Sequence, residues 1–521
     1  METRSRLHHV VAFAFAAVCA AGAWAETYTW TGGTGTWDAN SGASWTATST
    51  GGTGTVPGAD DAVIIPAAAT AYTVTVTEPF TVGSLEVGAN ATLCFSHREM
   101  NTVGGNVHVA SNGKITHTDL PDTANAPKDE IYRVALEVGG DMTVDEAGSV
   151  DVIGKGYRAK RGPGTSGNYS SSHGGALDLT YVSKCYGSLT CPTNCGSGSS
   201  RYLGGGSVRL DVAGSLTVNG TISAESFTTV GSQEYGSGSG GSIWITCDDL
   251  IGAGTLSVAA DFAFYGQGGG GGRLAVHLTE ATDFASWKGK MKAHGAMSKQ
   301  PKNASYYSCG GAGTIYLQAY GQTPETATVV LDNEGSAEYD NQPTGYTPLD
   351  DSVGAGVIGN LIVTNRARVM FAGAGKTTKI FGDVDTTGGT ILDYGGTVEL
   401  AGGRTQTIRG GGVWDDLLCT VPGKTIKIGT GDGDVLNFSE TSVVTLKGGN
   451  GDRLVLTPAV PGEIWKIVLP VGGVADISRV AVDHSDASGG QTIVTTKGSI
   501  GKRADNTNWV FPNAGMALII R

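Results

Sequence analysis

One short unit recurs five times between residues 174 and 317, and it constrains the fold more than any other feature. Each copy joins a run of small, glycine-rich residues to a few residues in which apolar and polar side chains alternate. Spacing of 31 to 41 residues between copies is typical of solenoids, whose stacked repeats bury their apolar edges against their neighbours. The sequence therefore predicts that every copy supplies a strand to one stack. The first apolar residues of the copies are Leu177, Val208, Ile243, Leu274 and Ile315.

The composition indicates the same class of fold. Glycine accounts for 83 of the 521 residues, without the three-residue period of collagen, and no long stretch has helical periodicity. We therefore predict an all-β fold, a right-handed parallel β-helix with glycine-rich loop insertions and a capping N-terminal β segment. Because the loops hold too little apolar side chain to fold alone, we expect them to lie flat on the solenoid or to move freely.

The chain divides into four predicted regions. Residues 1–25 contain two arginines, an apolar run of 13 residues and a small-x-small ending, which predict a secretory signal peptide. Residues 26–100 form the predicted cap, 101–325 the glycine-rich repeats, and 326–521 a C-terminal β-helix region with a closing segment. We expect the exported chain to be extracellular, on the cell surface or periplasmic, with no membrane span once the signal is removed.

Charge narrows the choice of partners. The formal net charge is −13 at pH 7, which gives no electrostatic reason to bind nucleic acid. One basic cluster interrupts this acidic chain, and an aromatic residue lies within it. Cations beside an aromatic ring suit an anionic glycan, whereas the alternative is an ordinary solvated loop. The predicted ligand-binding residues are Lys155, Tyr157, Arg158, Lys160 and Arg161.

Seven cysteines follow the predicted signal peptide. Export permits disulfides, and four of these cysteines lie in glycine- and serine-rich segments, where they allow three pairings that the sequence does not choose between. The disulfide candidates are Cys185, Cys191, Cys195 and Cys309. Cys247 and Cys419 instead share the alternation of neighbouring apolar residues, so we expect them in the core.

Three tryptophans open the chain after the signal peptide, at Trp30, Trp37 and Trp45. Aromatic faces suit sugar rings, so these residues could form a sugar-stacking platform. The interpretation we favour is that they plug the open end of the solenoid, which must be capped to prevent end-to-end pairing.

Two segments resemble known proteins. Trp-Thr-Gly-Gly at 30–33, Pro-Gly-Ala-Asp-Asp at 57–61 and Gly-Ser-Leu-Glu-Val at 83–87 follow one another in an order that resembles the opening coil of autotransporter-associated strand repeats. The last hundred residues resemble a terminal segment common on exported bacterial β-helical and adhesin-like proteins. These resemblances imply a glycine-rich, exported bacterial surface protein that ends in a closing coil, and they imply no particular activity.

We therefore expect a secreted or cell-surface structural, adhesin-like protein without catalysis, whose partners are extracellular polysaccharides or cell-surface components. The alternative is a carbohydrate-active β-helix enzyme, a polysaccharide lyase or glycoside hydrolase. Such an enzyme needs two carboxylates, or a base with cations, that converge across neighbouring coils.

Few residues fit the enzymatic alternative, and none is assigned a catalytic role. Asp415-Asp416 resembles the paired aspartates of polygalacturonases, but the family's histidine follows its aspartates, and here Ser172-His173-Gly174 precedes them. No cofactor is expected, although Ca²⁺ is compatible with a group of side-chain oxygens near the C-terminus. These belong to Asp483, Asp486, Asp505 and Asn506.

Overall fold

The computed structural model describes residues 25–48, 53–166, 170–182, 184–227, 236–260, 267–297, 309–334, 345–371, 373–503 and 505–511. The predicted signal peptide lies outside these ranges except for Ala25. Within them the regular secondary structure is nearly all β, which confirms the predicted class at this level. The helical segments described are one short α-helix, α1 (Leu179–Val182), and three 3-10 turns, at Ser41–Ser44, Pro127–Asp129 and Asp351–Val353.

The strands of the first half follow one another closely. In chain order they are β1 (Thr27–Trp30), β2 (Gly35–Trp37), β3 (Trp45–Ala47), β4 (Ala62–Ile65), β5 (Tyr72–Val76), β6 (Thr81–Val82), β7 (Ser84–Val87), β8 (Ala91–Phe95), β9 (Asn101–Val103), β10 (Val107–Val109), β11 (Lys114–His117), β12 (Val134–Val138), β13 (Met142–Val144), β14 (Ser149–Asp151), β15 (Ser207–Val212), β16 (Leu216–Val218), β17 (Thr221–Ser223), β18 (Ser242–Cys247), β19 (Leu250–Ile251), β20 (Thr255–Ser257), β21 (Arg273–Leu278), β22 (Lys290–Lys292) and β23 (Thr314–Gln318).

These strands build three parallel sheets that the chain visits in turn. From β4 to β18, each strand pairs in parallel with the strand three places later. One passage through the three sheets, here termed a circuit, therefore lies on the previous circuit. The pairing also aligns the apolar residues, because side chains alternate between the two faces of a strand. One such buried ladder on the first sheet consists of Leu85, Val107, Met142, Leu216 and Leu250.

The tryptophans close the first end of this core. β1 pairs antiparallel with β3, which places Trp30 opposite Trp45 at the edge of the first sheet. The rings of Trp30 and Trp37 each meet that of Trp45 edge-to-face with centroids 5.0 Å apart, and all three side chains are buried. Buried rings offer no platform for a sugar, so that alternative is wrong, and the plugging interpretation stays a prediction.

The second half forms a further stack. Its strands are β24 (Thr328–Asp332), β25 (Thr347–Leu349), β26 (Val357–Ile358), β27 (Asn360–Thr364), β28 (Arg368–Phe371), β29 (Thr377–Ile380), β30 (Val384–Leu392), β31 (Thr397–Leu400), β32 (Gln406–Trp414), β33 (Asp416–Cys419), β34 (Thr425–Ile428), β35 (Val435–Phe438), β36 (Val443–Lys447), β37 (Leu454–Pro458), β38 (Trp465–Val468), β39 (Val474–Ser478), β40 (Val480–Val482), β41 (Ser485–Asp486), β42 (Ile493–Val494), β43 (Ile500–Gly501) and β44 (Trp509–Val510). A second ladder of buried residues runs through Val329, Leu361, Val384, Ile408 and Ile428.

The two stacks meet at one antiparallel pair, β23 with β24. Residues directly opposite each other in such a pair point to the same face. Ile315 lies opposite Val330 and both pack on the first core, whereas Tyr316 lies opposite Val329 and both belong to the second core. The strand direction and the core-bearing face thus reverse together. Either reversal alone would invert the sense of winding, and the two together retain it.

The joint lies between Gln318 and Thr328, at the boundary placed at 325/326 from the sequence. At the other internal boundary, residue 100, the sheets run on without a break, because β8 pairs with β11 and β9 with β12.

The first of the five repeat copies differs from the prediction. Val208, Ile243, Leu274 and Ile315 lie in register on four neighbouring strands of the third sheet, as predicted. The copy at 174–179 forms no strand: its Ala176 makes only an isolated bridge to Tyr346, and α1 begins at its last residue, Leu179. The equivalent place in the sheet is taken by β12, where Val134 pairs with Val208. The glycines at 174 and 175 instead cross over the stack and contact the other glycine segments.

The described glycine-rich segments are not surface loops. Residues 237–241, 268–272 and 310–313 are all buried and hydrogen-bond to one another through the backbone. Gly240 donates to the carbonyl of Gly270 at 3.1 Å, and Gly271 donates to that of Gly311 at 3.0 Å. The expectation for the loops between the copies stays a prediction, because residues 228–235, 261–266 and 298–308 lie outside the described ranges. Without side chains, backbones approach closely enough to satisfy one another.

Replacing a buried glycine should therefore disrupt the stack. In Gly271→Ala the new methyl would meet the carbonyl oxygen of Ala293 closer than carbon and oxygen can approach. We expect the free energy of unfolding, measured by chemical denaturation, to fall by more than about 3 kcal/mol. The matched control is Gly403→Ala, which has nothing within 4 Å of its added Cβ and should change stability by less than about 1 kcal/mol. Equal effects of the two substitutions would contradict close glycine packing.

Candidate functional site

The predicted basic cluster lies between β14 and β15, and acidic residues face it. Lys155 Nζ lies 2.6 Å from Asp119 Oδ1, and Arg158 contacts Asp119 at 3.1 Å and Asp122 at 3.2 Å. Both aspartates follow β11, one circuit earlier. Two of the four cations are therefore neutralised locally, and the pairs are at least partly exposed, so each contributes little to stability.

Tyr157 points into the protein. Its ring is fully buried, and its hydroxyl donates to Glu130 Oε1 at 2.9 Å. The second carboxyl oxygen of Glu130 accepts from Asn194 Nδ2 at 3.3 Å, and burial raises the pKa of Glu130 to about 7. Tyr157 thus holds a buried acid in place, and its ring is not at the surface.

Lys160 and Arg161 differ from the other three predicted ligand-binding residues, because both are exposed. Lys160 occupies a turn with φ of 61°. The structure therefore separates the predicted group into a buried tyrosine, two paired cations and two exposed cations. Sequence reasoning missed Asp119, Asp122 and Glu130, since their contacts span 27 to 39 residues of a region with no sequence motif.

The predicted disulfide candidates are separated by burial. Cys185, Cys191 and Cys195 are free thiols in the structure, and Cys309 is buried. Burial raises the pKa of the Cys185 thiol to about 12 and that of Cys195 well above its ordinary value. Cys191 is exposed, whereas Cys247 and Cys419 fill core positions as expected. The disulfide pairing stays a prediction.

Two carboxylates converge across neighbouring circuits at the ends of β30 and β32. The amide of Gly395 donates to Asp393 Oδ1 at 3.2 Å and also to Asp415 Oδ2, which accepts from Tyr394 N at 2.7 Å as well. Burial, followed by the adjoining carboxyl of Asp393, raises the pKa of Asp415 to about 6. Asp416, its neighbour in the predicted motif, accepts a hydrogen bond from Val443 N and so contacts the next circuit instead of Asp393. The sequence pointed to Asp415 but not to its partner.

The predicted calcium-compatible oxygens have other partners. His484 lies between Asp483 at 2.8 Å and Asp505 at 3.4 Å. Asn506 donates to backbone carbonyls, and Asp486 accepts from Ser488 N. Across the described ranges, no group of three or more His, Cys, Asp or Glu residues is arranged to hold a metal ion.

An open cleft of about 320 Å³ lies beside the joint between the stacks. One wall comes from β22 and the residues after it, with Lys292 and His294 reaching Glu334 at 3.3 and 3.2 Å. On the other wall, Asn365 Nδ2 donates to Asp332 Oδ1 at 2.8 Å. Both signs of charge and an amide thus line one opening, and nothing in the sequence pattern indicated it.

Comparison with known proteins finds no relative. No family model, no curated protein and no solved structure matches this chain. Among the described residues, no helix is long and apolar enough to cross a membrane.

Glu130 should make stability depend on pH. Its pKa in the folded chain lies above the ordinary value of 4.5, so the folded state holds an extra proton between about pH 4.5 and 7. The contribution of Glu130 to the free energy of unfolding therefore falls as pH rises through that window. Relative to wild type, Glu130→Gln should gain up to about 1.4 kcal/mol per pH unit in denaturation experiments.

The control for this measurement is Glu86→Gln, at an exposed glutamate of β7. Its stability should follow that of wild type at every pH. A Glu130→Gln variant whose stability also follows wild type would show that Glu130 titrates normally.

Proposed function

We propose that this chain is an exported structural protein, a right-handed parallel β-helix of the adhesin-like class that contacts extracellular glycans without catalysis. The parallel pairing of each strand from β4 to β18 with the strand three places later supports the β-helix. The N-terminal and C-terminal resemblances support the class. A capped rod with two consecutive cores is suited to present a binding surface at a distance from the cell rather than to enclose a substrate.

The observation that carries the proposal is the internal use of the aromatic and basic residues. The opening tryptophans and Tyr157 are buried, and Lys155 and Arg158 pair with aspartates. These groups therefore have partners within the protein and do not form an aromatic or cationic track for a substrate.

The cleft at the joint is the glycan contact that the geometry favours. Lys290 is exposed at its rim, and Lys292 is half-buried beside Glu334. Cations, carboxylates and the Asn365 amide together can donate to and accept from an acidic sugar. Weak contacts of this kind suit a surface protein, because many copies on one surface bind the same polysaccharide at once and raise the overall affinity.

A glycan array probed with residues 26–521 tests this contact. We expect binding to acidic polysaccharides that falls about tenfold when Lys290 and Lys292 are both replaced by glutamine, because the cleft loses its positive charge. The matched control is Lys288→Gln, an exposed lysine whose Nζ donates to the Ala285 carbonyl. Absence of any glycan binding, or an equal loss with Lys288→Gln, would contradict the assignment.

The second candidate function is a carbohydrate-active enzyme, which the convergence of Asp393 and Asp415 favours. Asp393 Oδ1 and Asp415 Oδ2 both accept a hydrogen bond from the Gly395 amide. The two carboxyl groups of a glycosidase flank the scissile bond, whereas here one backbone amide engages both, which weakens the case.

Incubation with acidic polysaccharides should release no reducing or unsaturated sugar if the structural proposal is correct. Release that is abolished by Asp415→Asn but retained in Asp432→Asn, at an exposed aspartate, would replace the structural function with the enzymatic one.

A further inference from the structure

Three cations of successive circuits lie together at one corner of the second stack. Arg453 precedes β37, Arg479 separates β39 from β40, and Lys497 lies between β42 and β43. Because β37 pairs with β40 and β40 with β43, the connections that hold them lie on one another. The Arg479 amide donates to the Lys497 carbonyl at 3.2 Å. The three residues are exposed or half-buried, and with Asn450 and neighbouring glycines they line one opening of about 110 Å³, here termed the corner opening.

Hydrogen bonds hold both guanidinium groups at this opening. Arg453 Nε donates to the Gly498 carbonyl at 2.7 Å, and Arg479 Nε donates to Asn450 Oδ1 at 2.9 Å. Gly498 and Asn450 themselves belong to the lining. The Nη atoms of both arginines and Lys497 Nζ have no partner among the described residues. Each guanidinium therefore uses one donor within the protein, and its other donors are available to a ligand.

The corner opening differs in charge from the cleft at the joint. Among the described residues that line it none is acidic, whereas the cleft is lined by Asp332 and Glu334 as well as by lysines. Asp452, which adjoins Arg453 in the chain, has its carboxyl group beside Gly423, where an added Cβ would lie 3.6 Å from Oδ1. Cations that share an opening without a counter-charge repel one another, so this arrangement favours an anion.

The backbone at Arg479 is strained. Its φ of 52° lies in the left-handed region that favours glycine. Four other connections of this corner, β31–β32, β33–β34, β36–β37 and β42–β43, have a glycine in that region, with φ of 71° to 87°. These glycines are Gly402, Gly423, Gly451 and Gly498. At residue 479 an arginine thus stands where the other connections have glycine, and strain of this kind is typical of residues whose side chain has a function.

The arrangement of the donors favours a tetrahedral oxyanion. A carboxylate presents two oxygens in one plane, whereas a sulfate or phosphate ester presents three oxygens that diverge. Here the donors come from three circuits, and guanidinium groups pair well with such oxygens. The corner opening has about a third of the volume of the cleft, about 110 Å³ against about 320 Å³, which suits one such group rather than a whole sugar ring.

We propose that Arg453, Arg479 and Lys497 together bind a tetrahedral oxyanion group, a sulfate or phosphate ester, of an extracellular polysaccharide. The arginines donate to its oxygens through Nη, and the lysine ammonium adds a third positive charge. The polysaccharide carrier rests on the proposed function, but the corner opening shares no lining residue with the cleft at the joint, so each site can be tested without the other. The rival explanation is that the arginines only connect neighbouring circuits through Nε.

Binding of residues 26–521 to four immobilised dextrans tests the class of group. Dextran sulfate, dextran phosphate and carboxymethyl dextran, with equal numbers of charged groups, share one backbone with unmodified dextran. In about 0.15 M salt, where distant charges are screened, the Kd for dextran sulfate or dextran phosphate should be at least about tenfold lower than for carboxymethyl dextran. The ester with the lower Kd identifies the source of the oxyanion. Equal Kd values for the esters and for carboxymethyl dextran would overturn the proposal.

Variants locate the binding. Arg453→Gln and Arg479→Gln should each raise the Kd for the preferred ester about tenfold, because each removes a charge-assisted pair. The matched control is Arg409→Gln, at an exposed arginine of β32 outside the opening, which removes the same charge and should keep the Kd within about twofold. The chain with Lys290→Gln and Lys292→Gln should also keep it. Loss of ester binding in that double variant alone would assign the ester to the cleft and overturn this site.

Arg479→Gly separates binding from folding. Glycine removes the strain of the left-handed backbone, so Tm should be equal to that of wild type or higher, while ester binding weakens as in Arg479→Gln. A lower Tm with unchanged ester binding would show that Arg479 only connects the circuits, and the proposal would be wrong.

A further measurement uses the wild-type chain alone. Crystals soaked in selenate, a tetrahedral oxyanion, should show an anomalous scattering peak within hydrogen-bond distance of Nη atoms of both Arg453 and Arg479. No selenate at this place would overturn the site. Selenate there, without binding of either ester dextran, would overturn the polysaccharide as its ligand.

Discussion

Close approach of glycine backbones is the constraint on which the first stack depends. At one place in each of three successive circuits, a glycine amide donates to the carbonyl that follows a strand of the second sheet. Gly241 donates to Ala224, Gly272 to Val258 and Gly313 to Ala293, at 2.6 to 2.8 Å. Any side chain at these positions would separate the strands from their partners, and buried backbone groups must be hydrogen-bonded. The glycine content thus reflects packing, and the entropic cost of ordering glycine is offset by these bonds.

Beyond the antiparallel pair of β23 and β24, the second stack continues the structure without such glycine-rich segments between its strands. The second core lies on the opposite face of the shared third sheet. Residues of that sheet that point away from the first core therefore pack against the second core. Trp244, Ala275 and Tyr316 form one in-register column of these residues, and Tyr316 enters the second core beside Val329. The Arg209 guanidinium stacks over Trp244 at 4.3 Å and covers the outer end of the column. Aromatic residues therefore close cores at more than one point of the rod.

Buried charges are treated in three different ways in this molecule. Lys424 is satisfied by carbonyls of the preceding circuit, and Glu130 is held by Tyr157 and Asn194 with its pKa raised by burial. Among the described residues, Nη2 of Arg273 has no hydrogen-bond partner. The first two arrangements belong to the fold, because each group meets its partners within the protein.

The alternation of apolar residues by itself determined that this chain is nearly all β and that the repeat strands stack in register, because a two-residue period allows only one face of each strand to be buried. The same alternation placed Cys247 and Cys419 in the core. The local pattern could not determine that the copy at 174–179 lies outside the sheet, because its sequence has the same pattern as the other copies. Its contacts are with glycines far along the chain. The partners of the predicted site residues were equally out of reach: Asp119 meets Arg158, and Asp393 meets Asp415, across circuits of unequal length. Tertiary structure alone decided these pairs and the reversal at β23 and β24. The loops between strands have no regular length, so the sequence does not show which residues the stacking makes neighbours.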